Sequence, residues 1–303
     1  MARNRLKPDR RAAWIPLLLL TSVTAVWGWT FVVVRDAIAT FPVSTFLAFR
    51  FGLAMLCLLP VLAGGGIGLR DGLWPGLALA AGYGCQTAGL QYTTASKAGL
   101  LTGLFVVFTP ALEVALYRRR PSWYTVVAVP IALIGTALLT SGGNQSPHGD
   151  NTLLGDSLEV ATALCFSIHM ILLGRISPSV SARHVALAQM SVAAILFTGV
   201  TLASHPAFHV TGQVAWAVLV TGTLASAAAF YIQTYVQQRV SPSRTAMILV
   251  TEPAFALLFG VLLAGDSFSA IHAIGAGIIL AVLVLHESLA TRSSLSAGQA
   301  VST

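Results

Sequence analysis

Long apolar runs separated by short polar breaks fill most of the chain. The runs have about the 20-residue length at which a helix crosses a hydrocarbon layer of about 30 Å. The pattern predicts ten membrane helices, at 14–34, 43–63, 73–93, 98–117, 123–140, 153–173, 184–203, 213–234, 244–264 and 269–286. Only residues 93–97 divide the third from the fourth, and Gly99 beside them favours a turn there.

Composition places these runs in a bilayer. Hydrophobic residues make up 56% of the chain and charged residues 9%, against about 25% charged residues in soluble domains. The net charge of +7 does not indicate a nucleic-acid partner, because the cations lie in short loops without interleaved aromatics. Cys57, Cys85 and Cys165 show neither disulfide nor metal spacing, so we expect no metal and no cofactor.

The positions of Lys and Arg predict the orientation, because short cytoplasmic loops collect these residues. With the N-terminus inside, the outer loops hold only Arg35 and Lys97, and Arg50 lies within the membrane. The inner segments hold Arg3, Arg5, Lys7, Arg10, Arg11, Arg70, Arg118, Arg119, Arg120, Arg175, Arg183, Arg239, Arg244 and Arg292. This segregation favours ten helices with both termini in the cytoplasm.

The chain also repeats itself. Thr109-Pro110-Ala111 and Glu252-Pro253-Ala254 occupy the same place late in each half, with the prolines 143 residues apart. Each half has five predicted helices, an odd number, so the second enters the membrane from the opposite side. The predicted organisation is a basic cytoplasmic tail (1–13), a first repeat (14–140), an external linker (141–152), a second repeat (153–286) and a disordered cytoplasmic tail (287–303).

Several short segments resemble the EamA-type family of the drug/metabolite transporter superfamily. In the first half they are WGWTFVVVRD at 27–36, FLAFRF at 46–51, ASKAGLLTGL at 95–104 and RRRPS at 118–122. In the second half they are SP at 241–242, TEPAF at 251–255 and the segment 260–266. Their order and spacing carry the resemblance over nearly the whole chain. One departure is Gly265-Asp266, where the family often has Gly-Glu.

The resemblance implies an all-α fold of two inverted five-helix repeats. It implies a central cavity lined mainly by helices 1 to 4 and 6 to 9, with helices 5 and 10 peripheral. It also implies transport of small organic solutes, often export of amino acids or other metabolites. The alternatives are an intramembrane enzyme and a non-transporting scaffold; His286-Glu287 begins a zinc motif, but Ala290 leaves it incomplete, so we expect no enzyme and no catalytic residue.

Glu252 is the first candidate functional residue. It lies eight residues from Arg244, hence about 12 Å along a helix axis and close to mid-membrane. A charge there costs about 3 kcal/mol on insertion scales, so such residues usually face a cavity, a partner or a proton path. Two interpretations stay open, a site for solute or a coupling proton, and a hydrogen-bonded packing element. Pro253 and Pro110 are candidate helix hinges.

Arg50 is the second candidate. It lies about 10 Å deep from the outer side of helix 2 and needs an anion. That anion is either a carboxylate of the solute or a protein acid such as Glu159. Nearer the cytoplasmic interface, Glu113 is expected to pair with Arg118 and Arg120.

The remaining candidates are uncharged. Thr109 stands where the second repeat has Glu252, so the two halves differ at their centre. Aromatic and polar side chains inside predicted helices line either the cavity or a helix–helix contact: Trp27, Trp29, Thr30, Gln86 and Tyr231. The preference for Arg over Lys, with abundant Ala, Gly and Val, suggests a bacterial source and hence the plasma membrane.

Overall fold

The computed structural model describes residues 10–64, 68–92, 95–118, 120–140, 152–264 and 269–300. Within these ranges the chain is helical and contains no strand. The first half contains α1 (Arg10–Ile38), α2 (Val43–Leu58), α3 (Leu73–Gly89), α4 (Ala95–Thr102), α5 (Phe105–Tyr117) and α6 (Trp123–Thr140). The second half contains α7 (Thr152–Leu173), α8 (Ala182–Ser204), α9 (Gly212–Gly222), a π-helical segment (Thr223–Ala228), α10 (Ala229–Gln237), α11 (Pro242–Leu249), α12 (Glu252–Ala264) and α13 (Ala270–Ala300).

Seven helical stretches are long and apolar enough to cross a membrane, counted over the residues the structure describes. Two shorter apolar helices, Phe105–Tyr117 and Trp123–Leu138, add to them. Large apolar side chains cover the outer surface, including Leu18, Ile195 and Leu262. Such a surface is stable against lipid and would aggregate in water. The protein is therefore an all-helical membrane protein.

Two of the predicted helices are each divided in the structure. The fourth is divided at Gly103 and Leu104 into α4 and α5, and the ninth at Val250 and Thr251 into α11 and α12. The second break has a clear cause, because Pro253 has no N–H to donate one turn back. The N–H groups of the next two residues both donate to the carbonyl oxygen of Thr251, at 3.0 and 3.3 Å.

The C-terminal tail differs from the prediction. The sequence predicts disorder from Ser288 onward, whereas α13 continues through Ala300. Alanine, leucine and arginine after Glu287 have high helix propensity and extend a helix that the membrane span has already nucleated. The predicted external linker, residues 141–152, lies outside the described part of the chain except for Thr152, which begins α7.

The most extensive contacts between the two halves are made by four helix pairs. They are α1 with α12, α2 with α8, α3 with α7, and α6 with α13. Gly28 makes the first of these contacts possible, since a Cβ atom there would lie 2.6 Å from the Cβ of Phe255. Each pair joins one helix from each half, so the space at their centre is bounded by both halves.

Candidate functional site: a central cavity between the halves

A small cavity of about 30 Å³ lies between the two halves. Its wall is largely aromatic and aliphatic, with Trp27, Tyr83, Phe105, Phe166, Phe230, Met170 and Leu249. Its polar members are Gln86, His169, Gln233 and Glu252. An apolar enclosure with a few convergent polar groups is typical of a small-molecule site.

Close helix contacts bring the cavity residues together. Because Gly28 allows α1 to approach α12, Trp27 and Glu252 line the same space. The hydroxyl oxygens of Thr24 and Thr251, one on each side of this contact, lie 3.1 Å apart. On the opposite wall Gly82 allows α3 to approach α7 closely, since a Cβ at Gly82 would lie 2.5 Å from the ring of Phe166.

Phe230 lies at the centre of the aromatic wall. Its ring centroid is 5.3 Å from that of Trp27, 5.8 Å from His169 and 5.9 Å from Tyr83. The Tyr83 ring is also 5.4 Å from Phe166. These separations lie in the range at which tilted and edge-on rings attract one another, so the wall is preorganised by its own contacts.

Glu252 is the first residue of α12, directly after the break in the ninth predicted helix. Its carboxyl group therefore lies at a helix N-terminus, where free N–H groups and the helix dipole favour negative charge. The side chain is partly buried and lines the cavity. The break thus places Glu252 in the cavity lining.

The π-helical segment, residues Thr223–Ala228, is a second irregularity beside the cavity. Trp27 Nε1 donates to the carbonyl oxygen of Ala225 at 2.8 Å, and Arg50 Nε donates to Ser226 Oγ at 2.8 Å. A π-helix leaves its carbonyls out of register with an α-helical ladder, which makes them available to side chains. The segment thereby connects α1 and α2 of the first half to the second half.

Arg50 lies behind the cavity wall and does not line it. Arg50 is 3% exposed, and its guanidinium donates to Tyr83 Oη at 3.3 Å and lies 4.5 Å from the centre of the Tyr83 ring. Glu252 is a carboxylate near enough to interact electrostatically with Arg50, without a direct ion pair among the described contacts. The predicted pairing with Glu159 is wrong, because Glu159 accepts from Thr102 Oγ1 at 2.9 Å instead.

Side-chain amides close the cavity toward one end of the bundle. Gln233 Nε2 donates to Gln237 Oε1 at 2.9 Å, and Gln237 Nε2 donates to the carbonyl oxygen of Met170 at 3.1 Å. On the other side of Gln237 lies a second, larger cavity of about 400 Å³. Its wall includes Arg175 and Arg239. The amide pair therefore forms the partition between the two cavities.

The predicted site residues fall into two groups. Trp27, Gln86 and Glu252 lie in the cavity lining. Outside the lining are Trp29, Thr30, Thr109 and Tyr231, as well as Arg50 and the two prolines. Thr30 donates to the Trp27 carbonyl at 2.9 Å, and Thr109 donates to Ser167 Oγ at 3.2 Å. Both threonine hydroxyls are thus used in packing contacts.

Glu113 also differs from its prediction. In the described part of the chain it pairs with neither Arg118 nor Arg120, so that prediction is wrong. Instead it accepts from the backbone N–H of Ser243 at 3.1 Å and from the Ser243 hydroxyl. Ser243 opens α11, so Glu113 caps that helix from α5.

Sequence reasoning missed several cavity residues. Phe105, Phe166 and Phe230 look like any other apolar membrane residues, and nothing in their spacing distinguishes them. His169 carried a usable signal, because an ionisable residue inside an apolar run is rare. The π-helical segment carried none, since its sequence TLASAA suits an ordinary helix.

The fold and the cavity together define a class, the helical membrane proteins with a cavity between two halves of the chain that is lined by aromatic and polar side chains. Comparison with known proteins gives the family. The model of the EamA-like transporter family matches residues 13–141 and again 153–287. The chain belongs to this family, and it is a membrane transporter.

Individual relatives agree with this assignment. A protein of Archaeoglobus fulgidus named as an uncharacterized transporter is 30% identical over 88% of this chain and 83% of its own length. The Escherichia coli K12 protein named uncharacterized inner membrane transporter YedA is 25% identical over 88% of each chain. A solved structure titled only as a crystal structure of a protein shares the fold, with a TM-score of 0.77, 18% identity, and coverage of 94% of this chain and all of its own.

Proposed function

We propose that this protein exports small organic metabolites, amino acids or related compounds, by alternating access. The observation that carries the proposal is the cavity wall, to which both halves contribute. Trp27, Tyr83 and Phe105 come from the first matched segment, and His169 and Glu252 from the second. A site between two repeats is opened to alternate sides when one repeat moves against the other.

The proposed arrangement is ten membrane helices in two inverted repeats of five, with both termini in the cytoplasm. In this assignment α4 with α5, and α11 with α12, are the divided fourth and ninth helices. The helix contacts support this arrangement. When each helix is replaced by its counterpart in the other repeat, a contact between two helices corresponds to another contact that is also present. The pair α1 and α12 then corresponds to α7 with α4 and α5, all of which pack together. Among the described residues, none from α6 or α13 lines the cavity, which agrees with peripheral fifth and tenth helices.

Orientation has a direct test. An epitope inserted after Pro147, in the proposed external linker, should be accessible to antibody in intact bacterial cells. The matched control is the same epitope at the C-terminus, which should be accessible only after the cells are permeabilised. Reversed accessibility would refute the proposed orientation. This experiment also checks the plasma-membrane localisation that we propose.

Alternating access predicts that a cavity residue can be reached from both sides of the membrane. We would replace the free cysteines Cys57, Cys85 and Cys165 by alanine and introduce Leu249→Cys in the cavity wall. A membrane-impermeant thiol reagent should label this cysteine from either face of oriented vesicles. The control, Leu280→Cys on the lipid-facing surface, should resist the reagent from both faces. Labelling of the cavity cysteine from one face only would contradict a carrier.

We further propose that Glu252 carries the coupling proton. The charged and titratable side chains around it are Arg50 from α2, Tyr83 from α3 and His169 from α7. Glu252 is the one carboxylate among the described cavity-lining residues, so it is the acid available in the cavity for exchanging a proton with the solute. Proteoliposomes with and without a pH gradient test this. Transport that ignores the gradient, in a protein whose Glu252→Gln variant stays fully active, would refute the coupling.

The solute itself is found by a resistance screen. Bacteria that express the protein would be challenged with amino acids, their amines and their analogues, with Glu252→Ala as the inactive control. Resistance that depends on Glu252, together with a lower internal concentration of the compound, identifies an exported solute. A higher internal concentration would instead reverse the proposed direction of transport.

A further inference from the structure

Two strong hydrogen-bond donors near the central cavity, Trp27 and Arg50, already bond to protein partners. Trp27 Nε1 donates to the carbonyl of Ala225, and Arg50 donates to Ser226 and Tyr83. A solute in the cavity cannot use these groups without breaking contacts between the halves. What the cavity offers a solute therefore depends on which polar atoms remain.

The amide of Gln233 leaves its oxygen free. A backbone carbonyl can only accept, so Gln237 Nε2 must be the atom facing Met170 O, at 3.1 Å. Gln237 Oε1 then faces Gln233 and accepts from its Nε2 at 2.9 Å. The other end of the Gln233 amide, Oε1, is buried and has no partner among the described residues. Gln233 thus brings an unsatisfied acceptor to the cavity wall.

The same reasoning fixes the tautomer of His169. Gln189 Nε2 donates to the carbonyl of Val185 at 3.3 Å and to Thr234 Oγ1 at 3.0 Å, so its Oε1 accepts from His169 Nε2, at 2.7 Å. A neutral imidazole that donates from Nε2 has its lone pair on Nδ1. His169 is therefore a second cavity residue with an acceptor to spare.

Glu252 adds the ionisable acceptor, and the aromatic wall adds a surface that attracts cations. The described lining contains five aromatic residues and neither Lys nor Arg. Ring faces attract an ammonium electrostatically, and more strongly when water is excluded. Neutral donors remain on Gln86 and Tyr83, but a carboxylate gains less from them than an ammonium gains from an ionised carboxylate.

We propose that the cavity recognises a protonated primary amine on an apolar or aromatic body, with Glu252, Gln233 and His169 accepting its N–H groups. An alkylammonium has three N–H donors, which matches these three acceptors in number. A carboxylate head group would meet mainly acceptors and would lose its hydration without compensation. The inference rests on the proposed transport function, because it names the class of solute for that same site.

Three ligands of one shape and different charge test the inference. Purified protein in detergent at pH 7.5 would be titrated calorimetrically with 2-phenylethylamine, 2-phenylethanol and 3-phenylpropanoate. The amine should bind at least about tenfold more tightly than the alcohol or the carboxylate, because its contact with Glu252 is charge-assisted. Equal or tighter binding of 3-phenylpropanoate, or no binding of the amine at millimolar concentration, would overturn the proposal.

Variants of the protein test which residues cause the preference for the amine. Glu252→Gln should weaken amine binding at least about tenfold and change alcohol binding by less than about twofold, and Gln233→Leu should weaken amine binding about fivefold. The matched control is Glu159→Gln, a carboxylate that is also buried but lies outside the cavity lining, and it should leave amine binding unchanged. Equal losses in Glu159→Gln and Glu252→Gln would overturn the proposal.

The two proposals fail separately. If the amine preference is absent but the Leu249→Cys protein is labelled from both membrane faces, the amine inference is refuted and the carrier stands. If labelling occurs from one face only while the amine binds with its expected preference, the cavity is an amine site in a protein that does not alternate. Should Glu252→Gln fail to fold, Gln233→Leu alone decides, and an unchanged amine affinity in that variant refutes the inference.

Discussion

The Thr109-Pro110 and Glu252-Pro253 pairs are the same motif in two halves, yet the structure uses them differently. Thr109 is fully buried and donates to Ser167, and α5 continues through Pro110. Glu252 opens α12 after a break and lines the cavity. The first motif is a packing contact, and the second supplies a carboxylate to the candidate site. A duplicated sequence can thus keep its fold while only one copy carries the chemistry.

The largest expected effect follows from this difference. Glu252→Gln should lower transport of the compound found in the resistance screen about 30-fold or more, because it removes a charge-assisted contact worth about 2–3 kcal/mol. Thr109→Val, the matched change in the other half, should lower the thermal stability slightly and leave transport near normal. Efflux from loaded proteoliposomes measures both. Equal losses in the two variants would show that the motifs are functionally equivalent.

Arg50 and Glu159 extend the comparison to buried charges. Arg50 contacts Ser226 and Tyr83 and so joins the halves, whereas the Thr102 hydroxyl is the one hydrogen-bond partner of Glu159 among the described residues. Arg50→Gln should destabilise the protein by about 3 kcal/mol, since it loses two hydrogen bonds from a charged group. Thermal unfolding in detergent measures the stability of each variant and so ranks them.

Glu159→Gln is the control for that measurement, because the amide can still accept from Thr102, and it should unfold near the wild-type temperature. A normal unfolding temperature for Arg50→Gln combined with lost transport would indicate instead that Arg50 contacts the solute. That outcome would restore the interpretation in which Arg50 binds a carboxylate of the solute.

Two glycines in the first half give the next smaller effect. At Gly28 a Cβ would lie 2.6 Å from Phe255 of the second half, whereas at Gly52 nothing lies within 4 Å. Gly28→Ala should destabilise the protein by about 2 kcal/mol through overpacking. Gly52→Ala should stabilise it by about 0.5–1 kcal/mol, because alanine is the better helix former. Similar unfolding temperatures for the two variants would contradict the close contact of α1 with α12.

The sequence predicted the membrane class and the family because both depend on features of whole segments. Apolar run length and the order of short family motifs survive any local irregularity. The candidate site was harder, since Trp27, Gln86 and Glu252 line the cavity while Trp29 and Thr30, on the same helix as Trp27, do not. Trp29 is two positions from Trp27 and so points to a different side of the helix, whereas Thr30 is on the same side as Trp27 but its hydroxyl bonds to the Trp27 carbonyl. The rotation of α1 is fixed by the contact of Gly28 with Phe255, which lies far away in the sequence.

Charge partners were the least predictable part. Arg50 was expected to find a carboxylate directly, but its hydrogen bonds go to Ser226 in the π-helical segment and to Tyr83. Glu113 was expected to pair with neighbouring arginines, but it caps α11. In both cases the partner is an uncharged group more than 30 residues away in the chain. Such partners cannot be predicted by matching opposite charges along the sequence.

The smallest expected effect concerns the link between Trp27 and the π-helical segment. Trp27→Phe keeps an aromatic ring in the cavity wall and removes the N–H that donates to Ala225 at 2.8 Å. The protein should lose about 1 kcal/mol of stability, the usual net value of one neutral hydrogen bond. Amine binding should fall by less than about threefold, because phenylalanine still offers a ring face to the ammonium.

Trp29→Phe is the matched control for this change, since Trp29 is a tryptophan of the same helix outside the lining. It should alter neither the unfolding temperature nor the affinity for 2-phenylethylamine. If both variants behave alike, the indole N–H does not hold the halves together at this point. The connection between them would then depend on Arg50 and Ser226 alone, and Ser226→Ala should become as damaging as Arg50→Gln.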